Sequence, residues 1–244
     1  MHPYLNTAIS AARSAGKQIL KALNNPNNLE IDSKSSPLDL VTNVDKAAEQ
    51  EICYHISKVY PEHNILGEEG GLEDKGSNVT WIIDPIDGTL NFVRGIPYYC
   101  VSIGVSVDNV LSHGVIYNPI TDELFCASKG AGAQLDGKRI RVSETKELAK
   151  SLISIDKNLQ NIMPGVKRHF GSAALDLAYV ACGRLDAYID GSLSLWDIAA
   201  GVVLVREAGG FVSDFTGGDN FKTSGQIIAG TRKIYTQIMQ NYKW

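Results

Sequence analysis

The chain has 244 residues, 44% hydrophobic and 20% charged, with a net charge of -4. That length buries most of its apolar surface as one large domain or as two smaller ones sharing a core, without disulfide or metal staples. The acidic balance excludes a general nucleic-acid binder, which needs clustered Lys and Arg to neutralise phosphates, and it does not suit an acidic membrane surface. Cys53, Cys100, Cys126 and Cys182 form no C-x-x-C pair and read as reduced thiols. The opening Met1-His2-Pro3-Tyr4 has no basic segment feeding an apolar run, and no apolar stretch reaches membrane-spanning length, so a cytoplasmic protein is expected.

Residues 4–24 place Leu5, Ala8, Ile9, Ala12, Gly16, Ile19, Leu20 and Leu23 on one helix face before the Asn24-to-Asn28 stretch stops it. A second helix is expected from Thr42–Asp45 to Tyr60, with Pro61 just beyond its end. From Trp81 the pattern turns to strands: 81–84, 99–107, 110–117 and 123–127, with short connections at Asp108-Asn109 and Asp136-Gly137 that favour antiparallel neighbours. The last third alternates strand 151–155, helix 172–182, strand 185–189, helix 197–208, strands 211–214 and 227–229, and a closing helix from about 231, which suggests α/β layering. The expected division is an α+β half over 1–145 and an α/β half over 146–244, sharing one body.

The chemistry concentrates in Asp84-Pro85-Ile86-Asp87-Gly88-Thr89. Asp84 closes an apolar strand, and Pro85, with no amide donor and a fixed φ, is expected to lead the chain out of the sheet. Two carboxylates and the Ile86 carbonyl then offer hard oxygens to one small volume, the donor set that Mg²⁺ prefers. If a helix starts at Gly88 and Thr89, their amides and the helix dipole make a seat for phosphate. A simple Asp-Gly turn would need neither the strand-end Asp84 nor Thr89. Gly67-Glu68-Glu69-Gly70 follows the apolar pair Ile65-Leu66, which could bring Glu68 beside Asp84 as a further ligand, or could be a solvated turn. Asp197 starts a helix and has N-capping as its alternative task. Asp45 lies in a first turn, where it complements the dipole or closes a capping arrangement with Thr42.

Taken in order, these segments resemble the inositol monophosphatase family of lithium-sensitive, metal-dependent phosphatases. The match runs through Lys34-Ser35-Ser36-Pro37, Asp39 to Thr42 with Asp45, Gly67-Glu68-Glu69, Trp81 to Thr89 with Asn91-Phe92, Gly171 to Ala174, Trp196-Asp197 and Glu207 to Gly210. The resemblance implies a layered α-β-α-β-α sandwich with an antiparallel-sheet N-terminal half, an α/β C-terminal half and the active site between them. It implies two or three Mg²⁺ ions held by Glu68, Asp84, the Ile86 carbonyl, Asp87 and Asp197, and phosphate held by Gly88 and Thr89. Glu68, Thr89 and Asp45 would be the catalytic residues, orienting a metal-activated water for in-line attack on phosphorus. Asp87, Gly171, Ser172, Ala173 and Asp190 would contact substrate.

Two departures bear on the substrate. The acid seven residues before Asp197, a Glu in inositol-specific relatives, is here Asp190, one methylene shorter; it either accepts from a sugar hydroxyl or ends a strand. The segment between Ser154 and Gly171 is too short for the helix that typical members carry, so that helix is lost or shrinks to a turn. The implied activity is hydrolysis of inositol 1-phosphate or a similar small polyol or sugar phosphate. Fructose-1,6-bisphosphatase, 3'-phosphoadenosine phosphatase and histidinol-phosphate phosphatase activities occur on the same fold. Relatives are commonly dimers, and some bacterial members attach to the transcription elongation machinery. Lys138, Arg139, Arg141, Lys167 and Arg168 either contribute to such a surface or are ordinary solvated side chains.

Overall fold

The computed structural model describes residues 2–25, 28–33 and 40–242, and the side chains of 160–162 are also outside the description. The Lys34-Ser35-Ser36-Pro37 segment and Asp39, part of the family resemblance, therefore lie outside the described residues.

Helix α1 (Pro3–Leu23) begins with Pro3, whose missing N–H and fixed φ suit a first helical position, and the His2 ring accepts the Tyr4 amide. Strands β1 (Ile31–Ser33) and β2 (Leu40–Thr42) pair antiparallel and lead into α2 (Asn43–Val59). The capping box expected at Thr42 and Asp45 is present: Thr42 Oγ1 accepts from the Val44 and Asp45 amides, and Asp45 Oδ2 accepts the Thr42 amide at 2.8 Å.

An eight-stranded sheet follows, made of β3 (Asn64–Gly67), β4 (Gly71–Glu73), β5 (Val79–Asp87), β6 (Cys100–Val107), β7 (Val110–Asn118), β8 (Glu123–Ser128), β9 (Gly132–Leu135) and β10 (Lys138–Arg139). The one-turn helix α3 (Thr89–Val93) lies between β5 and β6. The spatial order is β10-β9-β8-β7-β6-β5-β3-β4, antiparallel throughout except at β3–β5. Asp108-Asn109 and Asp136-Gly137 adopt positive φ at both residues, the left-handed pair that a two-residue hairpin turn requires.

The second sheet has five strands, β11 (Leu152–Ile155), β12 (Val166–Arg168), β13 (Ala187–Asp190), β14 (Phe211–Ser213) and β15 (Ile227–Gly230), in the order β12-β11-β13-β15-β14. Its helices are α4 (Ala173–Ala181), α5 (Leu195–Glu207), the short α6 (Phe221–Ser224) and α7 (Arg232–Asn241). The shortened region after Ser154 is a 3-10 turn over 157–162 followed by β12, an edge strand too short to show a pattern in the sequence.

Three apolar clusters stack these elements as α-β-α-β-α. One joins α1 and α2 to a face of the large sheet, a second places α4 and α5 between the two sheets, and a third packs α7 on the far face of the small sheet. The alternation along β6 is plain: Val101, Ile103 and Val105 face α1 and α2, while Cys100 belongs to the middle layer. Close approach of α5 depends on small residues. A Cβ on Gly104 would stand 2.7 Å from Ala199 Cβ, and one on Gly114 would stand 2.5 Å from the Ala200 carbonyl oxygen. Among the described residues no helix is long and apolar enough to cross a membrane.

Gly114→Ala is expected to destabilise the fold by about 1–3 kcal/mol, because the added methyl meets helix backbone rather than a movable side chain. A lowered urea midpoint at unchanged m-value checks this; an unchanged midpoint would show that α5 can retreat without cost.

Candidate active site

Asp84 does not end its strand. β5 continues through Pro85 to Asp87, and the pairing with β6 passes from Asp84↔Ser102 to Asp87↔Cys100. Three steps on one strand match two on the other, so one residue is extra: a β-bulge, where the missing Pro85 donor is not needed. The bulge settles which way the carboxylates point. In a regular strand residues three apart face opposite sides. Here Ile83 and Ile86 both pack toward α1 and α2, while Asp84 and Asp87 converge with Asp197, each offering a carboxylate oxygen within 4.8 Å of the others'.

The remaining ligand candidates gather on the same motif. The Glu68 amide donates to the Ile83 carbonyl at 3.1 Å, continuing β3 alongside β5 and placing Glu68 beside Asp84. The Ile86 amide donates to Asp84 Oδ1 at 3.0 Å, and the Ile86 carbonyl lies 3.0 Å from Thr89 Oγ1. Thr89 Oγ1 is also 3.2 Å from Asp45 Oδ1. Asp45 therefore bonds Thr42 through its capping box and Thr89 through its other oxygen. Asp197 is not the N-cap of α5. That position is Ser194, whose amide donates to Asp197 Oδ2 at 2.7 Å, so the helix starts two residues earlier than expected and Asp197 sits in its first turn.

Asp87 ties the two sheets together. Its Oδ2 accepts from Ser172 Oγ and the Ala174 amide, both at 2.6 Å, and Oδ1 accepts the Ala173 amide at 3.3 Å, so it sits on the N-terminus of α4, where the helix dipole favours a negative charge. Gly88 has φ 99 and is hemmed by the Tyr98 and Gly171 carbonyls, which only glycine tolerates. Asn91 Nδ2 bonds both the Tyr98 and the Phe170 carbonyl at 2.8 Å, holding the loops on either side of Gly88.

A cavity of about 200 Å³ opens from Asp87 and Asp197. Gly171, Ser172, Ala173 and Asp190 line it, while Glu68, Asp45 and Thr89 are not among its walls. Asp190 both ends β13 and faces the cavity, accepting from Tyr188 Oη at 3.2 Å and the Ser192 amide at 3.0 Å. Three further cavity residues, Asp176, Tyr188 and His169, were not singled out from the sequence. Asp176 is buried in the first turn of α4 and accepts from Tyr98 Oη and Ser154 Oγ, both at 2.7 Å. Its place is legible only as an acid on an otherwise apolar helix. His169 is exposed and carries no sequence signal.

The electrostatics follow from burying like charges. Burial, then the Glu68, Asp87 and Asp197 carboxylates, push Asp84 well above the usual aspartate range. Burial raises Asp87 to about 6 despite the Ser172 and Ala174 hydrogen bonds, and burial with the Asp87 charge raises Asp197 to about 8. Asp45, through burial against its Thr42 bonds, reaches about 6. These oxygens are hard donors short of a counter-charge, so the set fits a divalent cation of the Mg²⁺ kind.

Known proteins resemble this chain along its whole length. The profile of the inositol monophosphatase family matches residues 1–243. The Nus factor SuhB of Escherichia coli K12 is 45% identical over 100% of this chain and 97% of its own. The extragenic suppressor protein suhB of Bartonella henselae superposes with a TM-score of 0.93 at 37% identity, covering 98% of each chain. The inositol monophosphatase of Anabaena superposes with a TM-score of 0.84 at 34% identity, covering 98% of this chain and 94% of that one.

Groups whose pKa is raised on folding bind more protons in the native state, so their contribution falls as pH rises. Without divalent cation, stability should decline between the ordinary aspartate value of 3.8 and about 8, the upper value reached by Asp197. Added Mg²⁺ should raise Tm more at pH 8 than at pH 5. Thermal melts at the two pH values check the sign, and an equal gain at both would contradict it.

Proposed function

The chain belongs to the inositol monophosphatase family, and from that premise we propose that it is a cytoplasmic, Mg²⁺-dependent phosphomonoesterase acting on inositol 1-phosphate or a similar small polyol or sugar phosphate. The observation that carries this reading is the convergence of Asp84 and Asp87, from one bulged strand, with Asp197 from a helix start. Two to three Mg²⁺ ions would be held by Glu68, Asp84, the Ile86 carbonyl, Asp87 and Asp197. Bound there, they supply positive charge for the phosphate and leaving oxygen and lower the pKa of water.

The chain's own groups do the rest. Thr89 has one hydroxyl proton and two acceptors in reach, Ile86 O at 3.0 Å and Asp45 Oδ1 at 3.2 Å. When the Ile86 carbonyl is engaged elsewhere, the proton goes to Asp45 and the Thr89 oxygen is left to accept from the attacking water. Glu68 accepts the water's other proton, and the two together aim its lone pair at phosphorus. Gly88 and Thr89 present amides to the phosphate, while Gly171, Ser172, Ala173, Asp87 and Asp190 face the alcohol portion of the ester. Asp190 selects for hydroxyl donors. As in the wider family, a homodimer and inhibition by lithium are expected.

A second reading is favoured by one finding, that the relative 45% identical is named a Nus factor. We propose that the same fold docks on transcription elongation machinery, with catalysis and docking on separate surfaces.

A panel of inositol 1-phosphate, fructose 1,6-bisphosphate, 3'-phosphoadenosine phosphate and histidinol phosphate with Mg²⁺ should rank inositol 1-phosphate first by kcat/KM; no turnover of any of them would end the enzymatic reading. Asp84→Asn should reduce hydrolysis to background with Tm retained, and near-normal turnover would refute the site. Pull-down of RNA polymerase and its elongation factors by the same variant tests docking separately.

A further inference from the structure

Helix α2 turns two acids, Asp45 and Glu49, into the protein one turn apart, 0% and 6% exposed. Like charges at i and i+4 disfavour a helix and burial adds a desolvation cost, so packing gives no reason for either. Asp45 is accounted for by Thr42 and Thr89. Glu49 has a different set of partners: Oε2 accepts the Glu69 amide at 3.0 Å and Oε1 accepts the Gly70 amide at 2.7 Å.

The loop is shaped around that carboxylate. A Cβ on Gly67 would stand 2.5 Å from Glu49 Cδ, and one on Gly70 would stand 2.9 Å from Oε1. Neither glycine has positive φ, so what a side chain at either position would disturb is the seat of the Glu49 carboxylate and not the backbone conformation. Gly67 and Gly70 thus bracket Glu68 and Glu69 and let the carboxylate reach the backbone. Two amides engage both Glu49 oxygens, and Glu49 is not among the carboxylates that converge at the acidic centre, Asp84, Asp87 and Asp197.

We propose that Glu49 is a positioning residue: it clamps the Gly67–Gly70 backbone so that Glu68 stands beside Asp84, and so sets the affinity of the acidic centre for its divalent cation. This rests on the reading of Glu68 as a ligand given above. A glutamate is needed because both amides require an acceptor, whereas a glutamine would turn a donor toward one of them.

The test reads cation binding directly, by calorimetry with Mn²⁺ on the full chain, so it does not depend on turnover. Glu49→Ala should weaken binding about 10- to 100-fold, the range seen when a group orienting a metal ligand is removed. Glu49→Gln, with one acceptor kept, should fall between Glu49→Ala and wild type, and it serves if the alanine variant folds poorly. Gly67→Ala, which drives a methyl into the carboxylate, should weaken binding similarly, and the double variant should add little to either single loss. Folded Glu49→Ala or Glu49→Gln binding within twofold of wild type would overturn the proposal, even with a lowered Tm, since a merely structural role predicts that result. The two claims fail differently. A wild type that binds no divalent cation removes the metal centre itself, whereas a wild type that binds and a Glu49→Ala variant that binds equally removes only the clamp.

Discussion

Three carboxylates brought into one enclosed volume are the constraint around which this molecule is arranged. With oxygens of Asp84, Asp87 and Asp197 within 4.8 Å of one another, each ionised pair repels by about 3 kcal/mol at an effective dielectric near 20. Such a cluster does not assemble as a by-product of packing. It has to be held, and most of the polar structure nearby does so. The β5 bulge turns Asp84 and Asp87 to one side, Ser194 fixes Asp197 in the first turn of α5, and the α4 N-terminus draws Asp87 toward its amides.

The same contacts join the two sheets. Asp84 and Asp87 belong to the large sheet, whereas Asp197 and the amides that hold Asp87 come from helices of the middle layer. The acidic centre therefore forms only when the middle layer is seated. A second polar link runs beside it, from Tyr98 through Asp176 to Ser154 on β11. Burial raises Asp176 to about 7, against the two hydrogen bonds that favour its ionised form. The approach of α5 that makes this possible rests on Gly104 and Gly114, where side chains would have no room.

Much of this was legible in the sequence, and the reasons differ by feature. The helices were, because their apolar spacing and caps are local: Thr42 with Asp45 and Ser172 before α4 act within four residues. The hairpins at Asp108-Asn109 and Asp136-Gly137 were, because left-handed residues announce themselves by type. The bulge was not. Pro85 signalled a break in hydrogen bonding, but whether the chain leaves the sheet or bulges within it is decided by β6, a partner many residues away. β1, β2, β4 and β12 were missed because three residues carry no period. Glu49 and Asp176 went unnoticed because an acid on a helix looks the same in sequence whether water or a distant loop meets it.

The acidic centre also bears on how a hydrolytic role and a docking role can share one chain. A protein needing only this fold as a docking surface gains nothing from Asp84, Asp87 and Asp197. Replacing buried like charges with neutral groups of similar shape would relieve their repulsion and desolvation, with the loss at Asp87 confined to its hydrogen bonds to the α4 N-terminus. The surrounding supports would then be superfluous too, since Asp45, Glu49 and the bulge each carry their own burial or pairing cost. A divalent cation bound there would offset both the repulsion and the desolvation. Docking on a larger assembly, by contrast, needs exposed surface, whereas Asp84 and Asp87 are 2% and 7% exposed and Asp197 is half-buried. The proposed hydrolytic and docking roles would therefore draw on different residues.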